Sequence, residues 1–204
     1  MEYTYTNQAK RAGIALAVVA AFTALGTVAA QAAVFTSANL SIAARSNEAQ
    51  EVAAGDLTCA WREAELGSFA QVEYACAAQA VAMVEACVYK NQIISATQTS
   101  VFTNVTGEHE TVFLAGNNGR INGTLYTSPG HGGGGEGELC PHIEVPGGEA
   151  NQPEVEVVAV RWCNASLTDT TNNIVGATAA ELLGVLQKGA FDVPSCAEIL
   201  PVTP

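Results

Sequence analysis

Positive charge is scarce in this chain. Its 204 residues contain 8 lysines and arginines against 20 aspartates and glutamates, which gives a net charge of −12 at pH 7. Beyond residue 32 the cations are far apart: Arg45, Arg62, Lys90, Arg120, Arg161 and Lys188. Nucleic acids and anionic membranes are bound through clustered cations that neutralise phosphate. We therefore expect no nucleic-acid partner and, once the N-terminal segment has been removed, no membrane partner.

Motifs for common enzyme chemistries are missing as well. No Cys-x-x-Cys pair occurs, which argues against a redox enzyme or structural zinc. His131-Gly132-Gly133-Gly134 resembles the oxyanion loop of lipases and esterases, but the chain lacks their Gly-x-Ser-x-Gly nucleophile motif. Glu108-His109-Glu110 offers a histidine between carboxylates, yet on a strand both would point away from it. We expect no catalytic residue.

Metal ligation has little support in the same region. His131, Cys140 and His142, with two glutamates between them, could surround a transition metal. Their spacing matches no strong zinc pattern, and Cys140 is better used in a disulfide. The carboxylates from Glu136 to Glu156 lack the ligand pattern of a calcium loop. The sequence therefore predicts a solvated acidic loop with neither metal nor cofactor.

The first 32 residues have the three parts of an export signal. A polar start ends in Lys10 and Arg11, an apolar run follows, and small residues lead to a cleavage site after Ala32. Two alternatives are an uncleaved N-terminal anchor and a prepilin-type segment cut near Gly13. We favour a signal peptide followed by a single disulfide-bonded domain over residues 33–204.

Six cysteines follow the signal: Cys59, Cys76, Cys87, Cys140, Cys163 and Cys196. An even number in an exported chain predicts three disulfides, because thiols oxidise and remain oxidised outside the cell. Fifteen pairings are possible, and the sequence does not choose among them.

The segment Val72–Lys90 is apolar and alanine-rich, and it permits two interpretations. As a helix over about 69–90 it would make the fold α+β. As a hairpin, Val72–Cys76 would pair with a returning strand at Met83–Tyr89. The threonine- and valine-rich remainder of the chain favours the β interpretation.

Short alternating segments predict further strands. These are Phe35–Ile42, Leu57–Trp61 with its odd residues facing the core, Val101–Val105 paired with Thr111–Leu114 through a turn at Thr106–Glu110, Arg120–Thr127, and Glu154–Cys163. The alternation of the last segment changes phase near Val158, which indicates either a bulge or burial on both faces.

The remaining segments are predicted to be loops and one helix. Pro129–Pro153 is a glycine-rich loop tethered by Cys140, and Asn164–Asn173 is a polar loop. Ala177–Lys188 predicts a short amphipathic helix, and the tail beyond it is irregular and held by Cys196. Asn-x-Ser/Thr sequons at Asn39, Asn104, Asn122 and Asn164 are candidate glycosylation sites if the host is eukaryotic.

One family resemblance rests on two stretches of the sequence. YACAAQAVAMVEACVYKN, residues 74–91, is followed later by VAVRWCNASLTDTT, residues 158–171. Together they resemble the small secreted β-sandwich proteins of unknown function from high-GC Gram-positive bacteria. The resemblance implies an immunoglobulin-like fold and an extracellular location, without any activity. The chain departs from that pattern at Cys196 and at the helix predicted near Leu182.

Taken together, these patterns predict a mainly β protein, an antiparallel β-sandwich with one short C-terminal helix. We expect a secreted or cell-surface, non-enzymatic protein with a protein or glycan partner. One alternative is a secreted hydrolase or protease inhibitor acting through Pro129–Pro153. Another is an N-terminally anchored or pilin-like filament subunit.

Overall fold

Strands dominate the computed structural model, which describes residues 33–47, 52–107, 112–129, 140 and 153–200. The strands are β1 Val34–Ile42, β2 Leu57–Ala64, β3 Gln71–Tyr89, β4 Gln92–Ile93, β5 Gln98–Thr106, β6 Val112–Leu114, β7 Ile121–Thr127, β8 Glu154–Asp169 and β9 Ile174–Val185. The helix α1 covers Cys196–Ile199. No helix in these ranges is long and apolar enough to cross a membrane. The segment predicted to be a signal peptide lies outside them.

Two antiparallel sheets form a β-sandwich, as the sequence predicts. The smaller sheet has the order β1-β2-β7. The larger sheet has the order β9-β8-β3, and β6, β5 and β4 follow one another along the far edge of β3. The strands predicted at Phe35–Ile42, Leu57–Trp61 and Arg120–Thr127 are confirmed as β1, β2 and β7.

The central element is β3, a single strand of 19 residues. Both the helix alternative over 69–90 and the hairpin interpretation are therefore wrong. The second half of β3 is buried on both faces, so its sequence does not alternate there. Pairing with β8 on one side and β5 on the other outweighs the helix propensity of its alanines.

Two predictions for the C-terminal third are also wrong. Ala177–Lys188, predicted to be a helix, lies largely in β9, where Leu182 pairs with the buried Trp162. Asn164–Asn173, predicted to be a loop, continues β8 as far as Asp169. In both segments pairing between β8 and β9 prevails over local pattern. The helix lies later, at Cys196–Ile199, in the tail that was expected to be irregular.

The phase change near Val158 is confirmed, and both of its possible causes operate. Val84 pairs with Ala159 and Glu85 with Val157, so Val158 is the extra residue of a bulge. Val158, Ala159 and Val160 are also fully buried. The predicted pairing of Val101–Val105 with Thr111–Leu114 is wrong, because β5 and β6 each pair with β3. The turn between them falls mostly outside the described residues.

The alternation of inward and outward side chains changes phase a second time, at three residues that lie side by side on β5, β3 and β8. Asn104 in β5 and Asn164 in β8 flank Gln79 of β3, and both asparagines have left-handed backbones, with φ of 53° and 50°. The Asn164 side chain donates a hydrogen bond to Gln79 Oε1 at 2.8 Å. Asparagine tolerates this conformation better than most residues. Before Gln79 the even-numbered residues of β3 face the smaller sheet, and after it the odd-numbered Val81 does.

The main core lies between the two sheets and is linked across them. Trp61 of β2 packs against Tyr74 of β3, with ring centroids 4.4 Å apart, and against Phe113 of β6 at 4.9 Å. The Cys59–Cys76 disulfide joins β2 to β3 beside these rings. Gly123 is required opposite Trp61, because a Cβ atom there would lie 2.4 Å from the indole ring.

A second core lies on the opposite face of the larger sheet. There the C-terminal segment, residues 191–199, places Phe191, Val193 and Ile199 over buried alanines and valines of β3 and β8. The Cys163–Cys196 disulfide attaches this segment to β8. The double coverage explains why the second half of β3 is apolar on both faces.

Candidate functional site

The six cysteines form three disulfides, as predicted. The pairs are Cys59–Cys76, Cys87–Cys140 and Cys163–Cys196. Cys140 therefore tethers the glycine-rich loop to β3, as expected. In the disulfide it has no thiolate to offer a metal, which removes the thiolate from the possible ligand set of His131, Cys140 and His142.

The other residues of the catalytic and metal hypotheses lie outside the described residues. These are His109 with its neighbouring glutamates, His131, Glu136, Glu138 and His142. The alternative of a secreted hydrolase or protease inhibitor acting through Pro129–Pro153 is therefore not tested, nor is the oxyanion-loop resemblance that the sequence disfavours. Within the described ranges, no group of three or more histidine, cysteine, aspartate or glutamate side chains could hold a metal ion.

The outer face of the smaller sheet presents ordered rows of polar side chains. Inward residues alternate with outward ones along each strand, so those between the core residues of β1, β2 and β7 face solvent. The pairing register aligns them into three rows across the strands: Ser37–Arg62–Asn122, Asn39–Ala60–Thr124 and Ser41–Thr58–Tyr126. Because the strands hold these side chains, their spacing is fixed by the sheet.

Two adjoining hollows occupy this face. The first has a volume of about 460 Å³ and is lined by side chains of the first two rows, with the small Ala60 between Asn39 and Thr124. The second has a volume of about 450 Å³ and extends past Ala64 to Asn118 and Arg120. Both include Arg62 and Asn122, so together they form one continuous depression. We call it the polar groove, defined by Asn39, Ala60, Arg62, Arg120, Asn122 and Thr124.

The electrostatics of the polar groove differ from those of the chain as a whole. Arg62 and Arg120 are both exposed, and among the described residues neither guanidinium group makes an ion pair or a hydrogen bond. Arg161, by contrast, is engaged by Glu181 and by the carbonyl of Val193. The groove therefore places two uncommitted cations together in a chain of net charge −12.

The chemistry available in the polar groove is hydrogen bonding and charge pairing. Arginine presents a fork of donors that matches a carboxylate. Asparagine and threonine side chains both donate and accept, as sugar hydroxyl groups do. The described residues that line the two hollows include no histidine or cysteine, and their one carboxylate residue, Glu63, is 1% exposed and bonded to Tyr74 in the core. The arrangement can bind a polar anion.

A buried polar cluster lies beneath the groove, inside the sandwich. The Tyr74 hydroxyl donates a hydrogen bond to Glu63 Oε2 at 2.6 Å. Asp169, which pairs with Tyr74 in the sheet, accepts hydrogen bonds from the backbone and side chain of Asn172. Glu63 and Tyr74 are 1% exposed and Asp169 is 0% exposed. Because Glu63, Tyr74 and Asp169 are all buried, we assign these three side chains to the core.

Burial dominates the protonation of this cluster. It raises the pKa of Glu63 above its ordinary value, the Tyr74 hydrogen bond lowers it in part, and the negative charge of Asp169 raises it. Burial also raises the pKa of Tyr74, and its bond to Glu63 adds to the effect. Glu63 Oε1 has no hydrogen-bond partner among the described residues. Folding therefore shifts Glu63 toward its protonated form relative to an ordinary, solvated glutamate.

The four sequon asparagines are all exposed in the structure. Asn39 and Asn122 lie in the polar groove, and Asn104 and Asn164 lie in the row with Gln79 on the larger sheet. Exposure leaves glycosylation possible at each site. A glycan on Asn39 or Asn122 would occupy the groove, which makes the state of these two side chains decisive for binding there.

The polar groove is the feature that sequence reasoning missed. Its weak signal was present, because Asn122 and Thr124 alternate with core residues in the predicted strand Arg120–Thr127, and Arg62 directly follows the predicted strand Leu57–Trp61. The register that aligns them is set by long-range pairing. The fold and this surface define a β-sandwich with three disulfides and a polar outer face on its smaller sheet. Comparison with protein-family models, curated proteins and solved structures finds no match to this chain.

Proposed function

We propose that this protein is exported and binds an acidic glycan at the cell surface or outside the cell, without catalysing a reaction. The convergence of Arg62 and Arg120 on one polar groove is the observation that carries the proposal. A uronic acid unit supplies both a carboxylate for the guanidinium groups and hydroxyl groups for Asn39, Asn122 and Thr124.

Export is supported by two independent features. The first 32 residues have the pattern of a signal peptide, and all six cysteines are used in disulfides, which persist in oxidising compartments. An intact mass of the exported protein tests this part. A chain starting at Ala33 agrees with the proposal, whereas a retained N-terminus favours the anchored or filament alternative.

The immunoglobulin-like assignment is part of the same proposal. Its support is the Cys59–Cys76 disulfide, which joins the two sheets beside a buried tryptophan, Trp61, as in immunoglobulin domains. Cys196 stays a departure from the pattern of the resembling proteins. The segment near Leu182 does not depart from that pattern, because it is a strand and not the helix expected from the sequence.

Calorimetric titration of the exported protein tests the binding proposal. The ligands are a four-unit uronic acid oligosaccharide and maltotetraose, which has a similar size but no charge. We expect measurable binding of the acidic ligand alone, weakening as salt increases, because exposed charges are screened. Equal binding of both ligands, or of neither, would contradict the proposal.

Three variants assign the binding to the groove. Arg62→Ala and Arg120→Ala should each lower the affinity for the acidic ligand about tenfold or more. The reason is that a charge-assisted hydrogen bond contributes roughly 1.5–3 kcal/mol. Arg45→Ala is the matched control, because Arg45 is exposed but lies outside the groove. An equal loss in all three variants would indicate a general charge effect instead of a site.

A further inference from the structure

β9 is the outermost strand of the larger sheet. One of its edges pairs with β8 along most of the 12 residues from Ile174 to Val185. No strand in the described part of the chain pairs with its other edge. An edge of this length presents unpaired backbone donors and acceptors that can accept another strand.

Two of the devices that usually protect such an edge, proline and lysine, are missing from β9, and its pairing with β8 is interrupted by one bulge at Gly176. Ile174–Val185 contains no proline and no lysine, and its one charged residue, Glu181, is ion-paired with Arg161. The far edge of the same sheet differs, because it is divided into the separate strands β6, β5 and β4. Short, interrupted strands discourage pairing between molecules, whereas a long unprotected strand permits it.

Exposed apolar side chains accompany the open edge. Val175 is 60% exposed, Leu183 is 51% exposed and Val185 is 57% exposed. Val175 pairs with Thr168 and Leu183 with Arg161, and the outward-facing side of the sheet carries all four. Apolar residues at these positions gain little from the fold itself, so they are available for contact with another molecule.

The sequence of β9 is complementary to itself in one antiparallel register. When Ala179 of one copy lies opposite Ala179 of another, each Val175 faces a Leu183 and each Thr178 faces an Ala180. Cross-strand pairs of apolar residues stabilise a sheet. Glu181 lies opposite Ala177 in this register, with the two side chains on different faces of the sheet, so the two carboxylates are not opposed.

We propose that two copies of this chain pair through β9 and form a symmetric dimer with one continuous sheet. A two-fold contact uses the same edge on both copies and leaves no β9 edge open, so the assembly stops at two. Because each copy is strongly acidic, with a net charge of −12 over the full chain, the copies repel each other and added salt should strengthen the dimer. This salt response is opposite to that expected for acidic-glycan binding, and the proposal does not depend on that function.

Sedimentation of the exported protein over roughly 10 µM to 1 mM tests the dimer. We expect the mass to rise from one copy to two, with a higher dimer fraction at higher salt. A mass of one copy at every concentration would overturn the proposal, and growth beyond two copies would overturn the two-fold register.

Two variants place the contact on β9. Val175→Lys and Leu183→Lys should each weaken the dimer about tenfold or more, because lysine at an edge opposes strand pairing and neither side chain supports the core. Val101→Lys is the matched control, since Val101 is 46% exposed but lies in β5 at the far edge. Equal weakening by the control would overturn the assignment.

Hydrogen exchange gives a readout that does not depend on the variants folding well. In the unmodified protein, amides of β9 should become more protected as concentration rises, while those of β5 stay unchanged. Protection that rises in β5 and not in β9 would place the contact on the other edge and contradict the proposal.

Discussion

The Tyr74 hydroxyl donates a 2.6 Å hydrogen bond to Glu63 Oε2, and this bond crosses the core from the larger sheet to the smaller one. Asp169 lies beside the same pair, so the sandwich closes at this end around buried polar groups. Buried polar groups are costly when they lack partners, and this end of the core should therefore respond strongly to substitution.

Tyr74→Phe removes the hydroxyl and leaves the buried Glu63 without its donor. We expect the free energy of unfolding to fall by about 1–3 kcal/mol near neutral pH. The Tyr74 bond lowers the pKa of Glu63, so its loss should raise that pKa and make the variant more sensitive to pH. Urea unfolding measures both effects. Tyr126→Phe on the outer face is the control, and equal losses in both variants would contradict the role of the bond.

Glu63→Gln should change how stability depends on pH. The pKa of Glu63 is raised in the folded protein above its ordinary value of 4.5. Its contribution to stability is thus fully present below pH 4.5 and is lost as pH rises through the folded pKa. Glutamine keeps an acceptor for Tyr74 and does not ionise, so the variant should gain stability relative to the original protein as pH rises.

Unfolding curves measured over the pH range test this difference. Glu154→Gln, at an exposed position, serves as the control for loss of one carboxylate. If the Glu63→Gln difference does not grow with pH, or if the control shows the same trend, burial of Glu63 is not the cause.

Asn164→Ala should destabilise the larger sheet at its second phase change. Alanine in a left-handed conformation costs about 1–2 kcal/mol, and the bond to Gln79 is lost as well. Asn164→Gly loses the same bond but accepts the positive φ angle, so it should be the less costly substitution. Thermal unfolding of both variants measures the difference in their stability. An alanine variant as stable as the glycine variant would show that the backbone conformation contributes nothing.

Replacing Cys163 and Cys196 by alanine should release the C-terminal segment while the sandwich remains. The second core depends on that attachment, so amides of β8 around Val158 should exchange faster. Replacing Cys59 and Cys76 should instead lower global stability, by about 2–4 kcal/mol. Hydrogen exchange with unfolding measurements separates the two outcomes. Global unfolding after the first replacement would contradict this separation.

Much of the fold follows from local pattern where one face of a strand is buried. Leu57, Cys59 and Trp61 alternate with the outward-facing Thr58 and Ala60, and all three lie in the core as predicted. The irregularity at Val158 was also visible, because a bulge shifts the alternation. Such strands carry their orientation in their own sequence.

Where a segment becomes a strand only by pairing with distant parts of the chain, its secondary structure could not be predicted from local pattern. β3 is covered on both faces, and its alanine-rich sequence suits a helix equally well. Leu186, just beyond β9, has helical spacing from Leu182 and Leu183, and only pairing with β8 makes the segment a strand. The disulfide pairing and the rows of the polar groove likewise depend on register, which no local segment contains.

Amide resonance mapping of the exported protein with the four-unit uronic acid oligosaccharide tests acidic-glycan binding by the polar groove most directly. We predict saturable shifts at Arg62, Arg120, Asn122 and Thr124, with β9 unaffected and no shifts from maltotetraose. Shifts confined to residues outside the groove would contradict that function. The absence of any shift at ligand concentrations above about 1 mM would also contradict it.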